Sequence, residues 1–152
     1  MNKDISKYVE PPCRYYERCG GCQLQHLSNE SQNLYKQDIV EKLLGKFGEV
    51  EKIIVMDNQY EYRNKIQYSF GYGEKGKIIS GMYAMNSHKI IDIEQCIIQD
   101  PIADKILNTI ERIMKKYKME PYNEDTGEGF LRHVLIRTGY TTKEVKIGRA
   151  HV

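Results

Sequence analysis

CRYYERCGGCQLQH, residues 13–26, says more about the fold than any other stretch, because it holds three of the four cysteines in the chain. They are Cys13, Cys19 and Cys22, and the fourth, Cys96, lies far along the sequence. The tight Cys-Gly-Gly-Cys turn at 19–22 brings two sulfurs toward one centre, and its glycines let backbone N–H groups approach the sulfurs closely. This arrangement is typical of a metal-binding loop.

Disulfide bonds and unrelated core thiols both account for the cysteines less well. A disulfide framework needs an oxidising compartment, and the first ten residues, MNKDISKYVE, show no apolar segment of the kind found in secretory signals. Unrelated core thiols are common in proteins, but a polar, glycine-rich loop does not resemble a core segment. A metal centre is therefore favoured, and a cytoplasmic location is expected.

The spacing of the cysteines leaves two kinds of metal centre open. Zinc usually takes its ligands as two close pairs, whereas here the fourth ligand would be Cys96 alone, or His26 inside the loop. Three ligands together and one far away are more typical of an iron–sulfur cluster. The spacing favours the cluster over zinc without excluding zinc.

Composition predicts a soluble globular domain, because 40% of the 152 residues are hydrophobic and 29% are charged. No apolar run is long enough to span a bilayer. A net charge of +2 does not establish a nucleic-acid partner, but residues 130–149 are markedly basic. This strip favours an anionic partner, although a solvated face is an equal alternative. Its basic residues are Arg132, Arg137, Lys143, Lys146 and Arg149, against Glu144 alone.

Two helices are predicted. The first begins at Ser28 and ends at Gly45 to Gly48, and its apolar residues share one face. The second begins with Asp100 as the N-cap and Pro101 at the first position, and it stops at Pro121. The apolar face of the first comprises Leu34, Ile39, Val40, Leu43, Leu44 and Phe47, and the stripe of the second comprises Ile102, Ile106, Ile110, Ile113 and Tyr117.

Alternating and β-favouring residues predict strands between and after the helices. GYGEKG at 71–76 matches a dinucleotide-binding fingerprint in its letters, but strand residues follow it, so a hairpin loop is predicted. The fold class is therefore α+β, with a largely antiparallel sheet, two main helices and the N-terminal cysteine loop. The predicted strands are 53–55, 62–72, 77–85, 88–93, 129–138 and 143–147.

PPCRYYERCGGCQLQHL resembles the cluster-binding segment of the iron–sulfur RNA uridine C5 methyltransferases, the RNA (uracil-5-)-methyltransferase family. Three further stretches agree in order: EYRNKIQYSFG at 61–71, HKIIDIEQCIIQ at 88–99 and GFLRHVLIRTGYTTKEV at 129–145. The resemblance implies a 4Fe–4S cluster held by Cys13, Cys19, Cys22 and Cys96. It also implies methyl transfer from S-adenosylmethionine to C5 of a uridine in RNA, with ribosomal RNA expected ahead of transfer RNA.

The resemblance further implies that the chain is the N-terminal or central part of such an enzyme. In that family a C-terminal domain binds S-adenosylmethionine and supplies the nucleophilic cysteine and an acidic base, and this sequence ends before such a domain. We therefore expect no catalytic residue and no activity in the 152-residue chain alone. The expected divisions are a lead-in at 1–12, the cluster domain at 13–147 and an artificial end at 148–152.

The share of this region in RNA binding is predicted from Arg63, Lys65, Arg132 and Arg137. Tyr62, Tyr68 and Tyr72 are candidate stacking surfaces, although most tyrosines in strands serve sheet packing. His133 is expected to be a half-buried strand residue. The partner is expected to be RNA, with no membrane contact and a monomeric state. Alternatives are a stand-alone nucleic-acid-binding module scaffolded by the metal and, less favoured, a small electron-transfer protein.

Overall fold

The structure, a computed structural model, describes residues 7–150, and the side chains of residues 7–149. It contains one five-stranded antiparallel sheet in the order β3-β2-β1-β4-β5, with two α-helices. The α+β class and the antiparallel sheet are confirmed. The helices are α1 (Asn29–Leu44) and α2 (Pro101–Tyr117), and the strands are β1 (Lys65–Tyr72), β2 (Ile78–Tyr83), β3 (Ile90–Asp92), β4 (His133–Thr138) and β5 (Val145–Ala150).

The core forms between α2 and one face of the sheet, called here the core face. Side chains alternate along a strand, so Ile66 and Tyr68 of β1 and Val134 and Ile136 of β4 point to this face and are buried. From α2, Ala103, Leu107 and Met114 pack against it. Lys65 and Arg137 lie on the opposite parity and are exposed. We call their side the open face.

Helix α2 begins as predicted. The Asp100 side chain accepts a hydrogen bond from the Ile102 N–H at 3.0 Å, and Pro101 is the first helical residue. The helix ends at Tyr117, before the predicted Pro121, because Lys118 adopts the left-handed conformation that closes many helices. The predicted stripe was partly wrong, since Ile102, Ile113 and Tyr117 are exposed and the buried face is one position further along.

Helix α1 also has its predicted bounds, since Ser28 accepts a hydrogen bond from the Ser31 N–H at 3.2 Å and Gly45 follows the last turn. Its apolar residues nevertheless face outward. Leu43 is 64% exposed and Phe47 is 78% exposed, while Ser31 is the buried residue of the helix. Amphipathic spacing thus predicted the helix correctly but not what the helix packs against.

The strand predicted at 53–55 was wrong, because that segment is irregular and the Ile54 side chain is 97% exposed. The GYGEKG stretch is a hairpin connection, as predicted, with a short 3-10 turn at Glu74–Gly76 between β1 and β2. The last predicted arm is confirmed and extends to Ala150, so residues 148–150 continue a strand. No helix within residues 7–150 combines the length and the apolar character that crossing a membrane requires.

Candidate metal centre

All four cysteines line one cavity of about 250 Å³, so the structure brings Cys96 to the N-terminal loop. The cavity lies at the end of the core face, where β1 begins and the segment before α2 passes. Each cysteine is a free thiol and is partly buried. Four thiols around one cavity are a donor set for a thiolate-bound group.

Backbone hydrogen bonds hold the cysteine loop against the end of β2. The Tyr15 carbonyl accepts from the Cys19 N–H at 2.8 Å, and the Gly20 N–H donates to the Tyr83 carbonyl at 3.1 Å. A Cβ atom at Gly20 would lie 3.0 Å from that carbonyl oxygen and 3.3 Å from the Met85 nitrogen. Glycine is therefore needed here for close backbone approach.

Several polar groups surround the sulfurs. The Gly21 N–H donates to the Cys19 Sγ at 3.4 Å. Burial raises the pKa of the Cys22 thiol, and the Gln25 side chain acts in the opposite direction. Burial likewise raises the pKa of the Cys96 thiol, against the nearby backbone N–H groups of Ile98 and Gln99. N–H groups near sulfur are what a thiolate ligand requires, because they stabilise its charge.

A buried carboxylate stands behind Cys96. The Cys96 N–H lies 3.3 Å and 3.4 Å from the two oxygens of Asp104, whose side chain also accepts from the Gln99 amide. Asp104 is 7% exposed and Gln99 is 2% exposed. Burial raises the pKa of Asp104, while its two hydrogen-bond donors lower it. The carboxylate thus fixes the backbone that carries the fourth cysteine.

The cavity also contains an unused hydrogen-bond donor. Tyr68 lines the cavity and is 1% exposed, and its hydroxyl has no hydrogen-bond partner within the described residues. Burial raises its pKa well above the usual range, so the hydroxyl keeps its proton. A buried, unpartnered O–H beside four thiols fits a group whose sulfur atoms accept hydrogen bonds.

These residues fit an iron–sulfur cluster by their chemistry and by the shared cavity. Within the described part of the chain, no three His, Cys, Asp or Glu side chains converge as a site for one metal ion. The alternative ligand His26 lies outside the cavity lining, with its ring stacked on Tyr8 and its Nδ1 bonded to the Tyr16 hydroxyl. The four cysteines therefore stay the predicted ligand set, and zinc stays the alternative.

The four predicted RNA-binding residues fall in different surroundings. Arg63 and Lys65 line the cysteine cavity. Lys65 lies directly opposite Arg137 in the pairing of β1 with β4, so both project from the open face. Arg132 instead pairs with Glu124, with its Nη2 2.7 Å from a carboxylate oxygen. Their role in RNA binding stays a prediction.

The aromatic predictions gave mixed results. Tyr62 and Tyr72 are more than half exposed, but Tyr68 is buried in the core and cannot stack on a base. His133 is a half-buried strand residue, as expected, and its Nδ1 lies 3.1 Å from the Ser69 hydroxyl. Burial lowers its pKa, which favours the neutral imidazole.

Sequence reasoning missed Asp104, whose position offered a signal. It lies in the first turn of α2, eight residues after Cys96, in a helix whose N-cap was recognised. An acid at that position is ambiguous in the sequence, because carboxylates also favour helix N-termini through the helix dipole. Only the fold shows that Asp104 faces inward to the Cys96 backbone.

No family model matches the chain. It is similar to proteins named uncharacterized RNA methyltransferase from three bacteria. The identities are 44% with one from Clostridium tetani (91% of this chain, 31% of that protein), 41% with one from Staphylococcus aureus (97% and 34%), and 41% with one from Listeria monocytogenes (91% and 31%).

Among solved structures, the chain is similar to the tRNA (uracil-54, C5)-methyltransferase of Pyrococcus abyssi in complex with S-adenosyl-L-homocysteine. The TM-score is 0.70 at 28% identity, over 86% of this chain and 31% of that one. The resemblance drawn from the cysteine loop is thus confirmed by independent relatives. The chain spans about a third of the length of the proteins it matches.

Proposed function

From its kinship with the RNA uracil-C5 methyltransferases, shown by relatives and by a structural neighbour, we propose that this chain is the cluster-bearing, RNA-contacting region of such an enzyme. The parent protein would transfer a methyl group from S-adenosylmethionine to C5 of a uridine in RNA. The observation that carries the proposal is the meeting of Cys13, Cys19, Cys22 and Cys96 around one cavity in a chain of this kinship.

The four thiolates would hold a 4Fe–4S cluster, which supplies a covalent tie between distant parts of the chain. Methyl transfer to uracil needs no external electron, so we assign the cluster a structural role. Cys19 belongs to the loop that is bonded to the end of β2, and Cys96 precedes α2. The bound group would therefore join the N-terminal loop, the sheet and the start of α2.

The RNA substrate of the parent protein is proposed at two levels. Methylation of RNA rests on both the curated relatives and the structural neighbour. Ribosomal RNA was expected first from the resemblance, and it stays the first candidate. Transfer RNA is the second candidate, favoured by the activity named for the Pyrococcus abyssi enzyme. The cytoplasmic location and the monomeric state stay predictions.

The metal centre is tested by anaerobic reconstitution of the chain with iron and sulfide. We expect a brown protein with about four irons per chain, the stoichiometry of one 4Fe–4S cluster. Single replacements of each cysteine by serine should lower the iron content and the visible absorption, since each removes one thiolate. The matched control is His26→Gln, which changes the alternative ligand and should leave the iron content unchanged.

Two results would overturn the cluster assignment. One is a protein that takes up one zinc ion and no iron under the same conditions, because zinc is the alternative that the cysteine spacing left open. The other is loss of iron in His26→Gln with full retention in Cys96→Ser, which would transfer the fourth ligand to the loop. Circular dichroism of each variant shows whether a loss of iron reflects a lost ligand or a lost fold.

A further inference from the structure

A row of three basic side chains crosses the open face of the sheet. Strand pairing places Lys65 of β1 directly opposite Arg137 of β4, and Arg137 directly opposite Lys146 of β5. Residues that face each other across neighbouring antiparallel strands project to the same side. The three positive charges therefore stand side by side, and we call them the basic row.

The basic row is available to a partner in this structure. All three side chains are exposed. Within residues 7–149, no acidic side chain forms an ion pair with any of them, in contrast to Arg132, which pairs with Glu124. Helix α2 packs against the core face and leaves this side of β1, β4 and β5 uncovered. Three neighbouring charges without a counter-charge attract an anion.

An exposed aromatic ring stands at one end of the basic row. Arg137 and Lys146 are one pair away from the end of the β4–β5 ladder, and the turn beyond it contains Tyr140. The Tyr140 side chain is 87% exposed, and the Lys143 amine lies 4.6 Å from the centre of its ring. The turn therefore offers a free π-face, edged by one more positive charge, beside the row.

We propose that single-stranded RNA crosses the open face of the sheet along the basic row, with an unpaired base stacked on Tyr140. This inference rests on the proposed function and selects the surface through which the chain contacts RNA. Strands lie about 4.8 Å apart, so the row spans about 10 Å. Successive phosphates of one strand rise by about 3.4 Å in a duplex, so the row can contact more than one phosphate.

The aromatic ring is what distinguishes a single strand from a duplex. Paired bases are stacked on one another and offer no face to a side chain, whereas unpaired bases stack on tyrosine regardless of their identity. The proposal also separates the four predicted RNA-binding residues. Lys65 and Arg137 belong to the row, Lys146 joins them, and Arg132 lies outside it with its own carboxylate partner.

The test measures binding of the full chain to a short oligouridine and to an RNA duplex of equal length, over a series of salt concentrations. For the single strand we expect a slope of log affinity against log salt near −2, because each neutralised phosphate contributes about −0.7. The double variant Arg137→Gln/Lys146→Gln should flatten that slope by about 1.4. Tyr140→Ala should weaken binding at least about fivefold with little change in slope.

Helix α2 supplies matched controls on the other side of the molecule. Lys115 and Lys116 are exposed, and Tyr117 is 64% exposed with the Lys116 amine 5.1 Å from its ring centre. Lys115→Gln/Lys116→Gln and Tyr117→Ala therefore remove the same chemistry at another place. Both should bind the oligouridine like the unchanged chain.

Each other outcome counts against the proposal in a recognisable way. An unchanged slope in the folded Arg137→Gln/Lys146→Gln variant, or equal losses in the α2 controls, would overturn the basic row and leave the proposed function standing. Preference for the duplex would overturn the stacking on Tyr140. If the unchanged chain binds neither RNA, the row and the RNA-contacting part of the proposed function both fail, while iron content judges the cluster independently.

Discussion

The two carboxylate oxygens of Asp104 lie 3.3 Å and 3.4 Å from the backbone N–H of Cys96. The same side chain accepts a hydrogen bond from the Gln99 amide, and all of it is nearly inaccessible to water. A buried donor left without its acceptor costs about 1–3 kcal/mol. Asp104 is therefore the residue that positions the fourth cysteine of the centre.

Replacing Asp104 by alanine should destabilise the chain by about 1–3 kcal/mol and speed the loss of iron from the reconstituted protein to a chelator. Asp104→Asn keeps one carbonyl acceptor for the Cys96 N–H and should restore part of the retention. Asp100→Asn is the control, because asparagine is an equally good N-cap and Asp100 makes no bond to Cys96. Chelation followed by visible absorption measures the effect, and equal rates in all four proteins would contradict it.

Glu111 on α2 gives a prediction about pH. Burial raises its pKa above the ordinary value of 4.5, and Asp92 adds to the increase, against Ser80 and Lys77. An acid whose pKa is raised by folding favours the folded state most when it is protonated. The stability that it contributes is therefore present below pH 4.5 and is lost as the pH rises through the folded-state pKa.

Glu111→Gln should remove this loss. Relative to the unchanged chain, the variant should gain in free energy of unfolding as the pH rises from about 4 toward 7, roughly the range over which a carboxyl titrates when burial raises its pKa. Urea unfolding at several pH values measures the difference. Glu120→Gln, at an exposed acid beyond the end of the same helix, is the control. A constant difference across the range would show that Glu111 is ionised alike in both states.

Two glycines of the sheet should differ sharply in their tolerance of alanine. A Cβ atom at Gly81 of β2 would overlap the Ile91 carbonyl of β3, whereas one at Gly148 of β5 would meet nothing closer than 3.9 Å, on Leu135. Overpacking typically costs about 1–3 kcal/mol, and a backbone atom has little freedom to move away. Thermal unfolding should show a large loss for Gly81→Ala and almost none for Gly148→Ala, and equal losses would contradict the pairing of β2 with β3.

The chain alone should transfer no methyl group to RNA. All four of its thiols line one cavity, so none is left to act as the nucleophile that the family uses on uracil. Incubation with radiolabelled S-adenosylmethionine and unmodified RNA tests this, with the same preparation of Cys96→Ser as the comparison. Label that appears with the unchanged chain and persists in that variant would indicate a contaminating enzyme. Label lost with Cys96 would place chemistry at the cysteines.

Short-range signals predicted the bounds of the helices well. Ser28 and Asp100 are N-caps with side-chain hydrogen bonds to the following turn, and such bonds involve only neighbours in sequence. Burial was predicted less well, because it depends on partners far along the chain. The apolar residues of α1 and the stretch at 53–55 carry core-like sequence, yet Leu43 and Ile54 are exposed.

The candidate site divides in the same way. The cysteines could be grouped from the sequence because their side chains have few other uses in a polar loop. Asp104 could not be assigned, since its role depends on the side of α2 that meets Cys96. The meeting of Lys65 with Arg137 was also out of reach, because strand register is set by pairing between residues that are distant in sequence.

Strand β5 is an outer strand of the described sheet, and this has a consequence for self-association. The edge of a sheet offers unpaired backbone groups on which another chain can add a strand, and proteins commonly oppose this with lysine at the edge. Lys146 and Arg149 both lie on β5 and are exposed. The charge at position 146 therefore serves two ends, since it faces a polyanion and also discourages copies of the chain from joining edge to edge into aggregates.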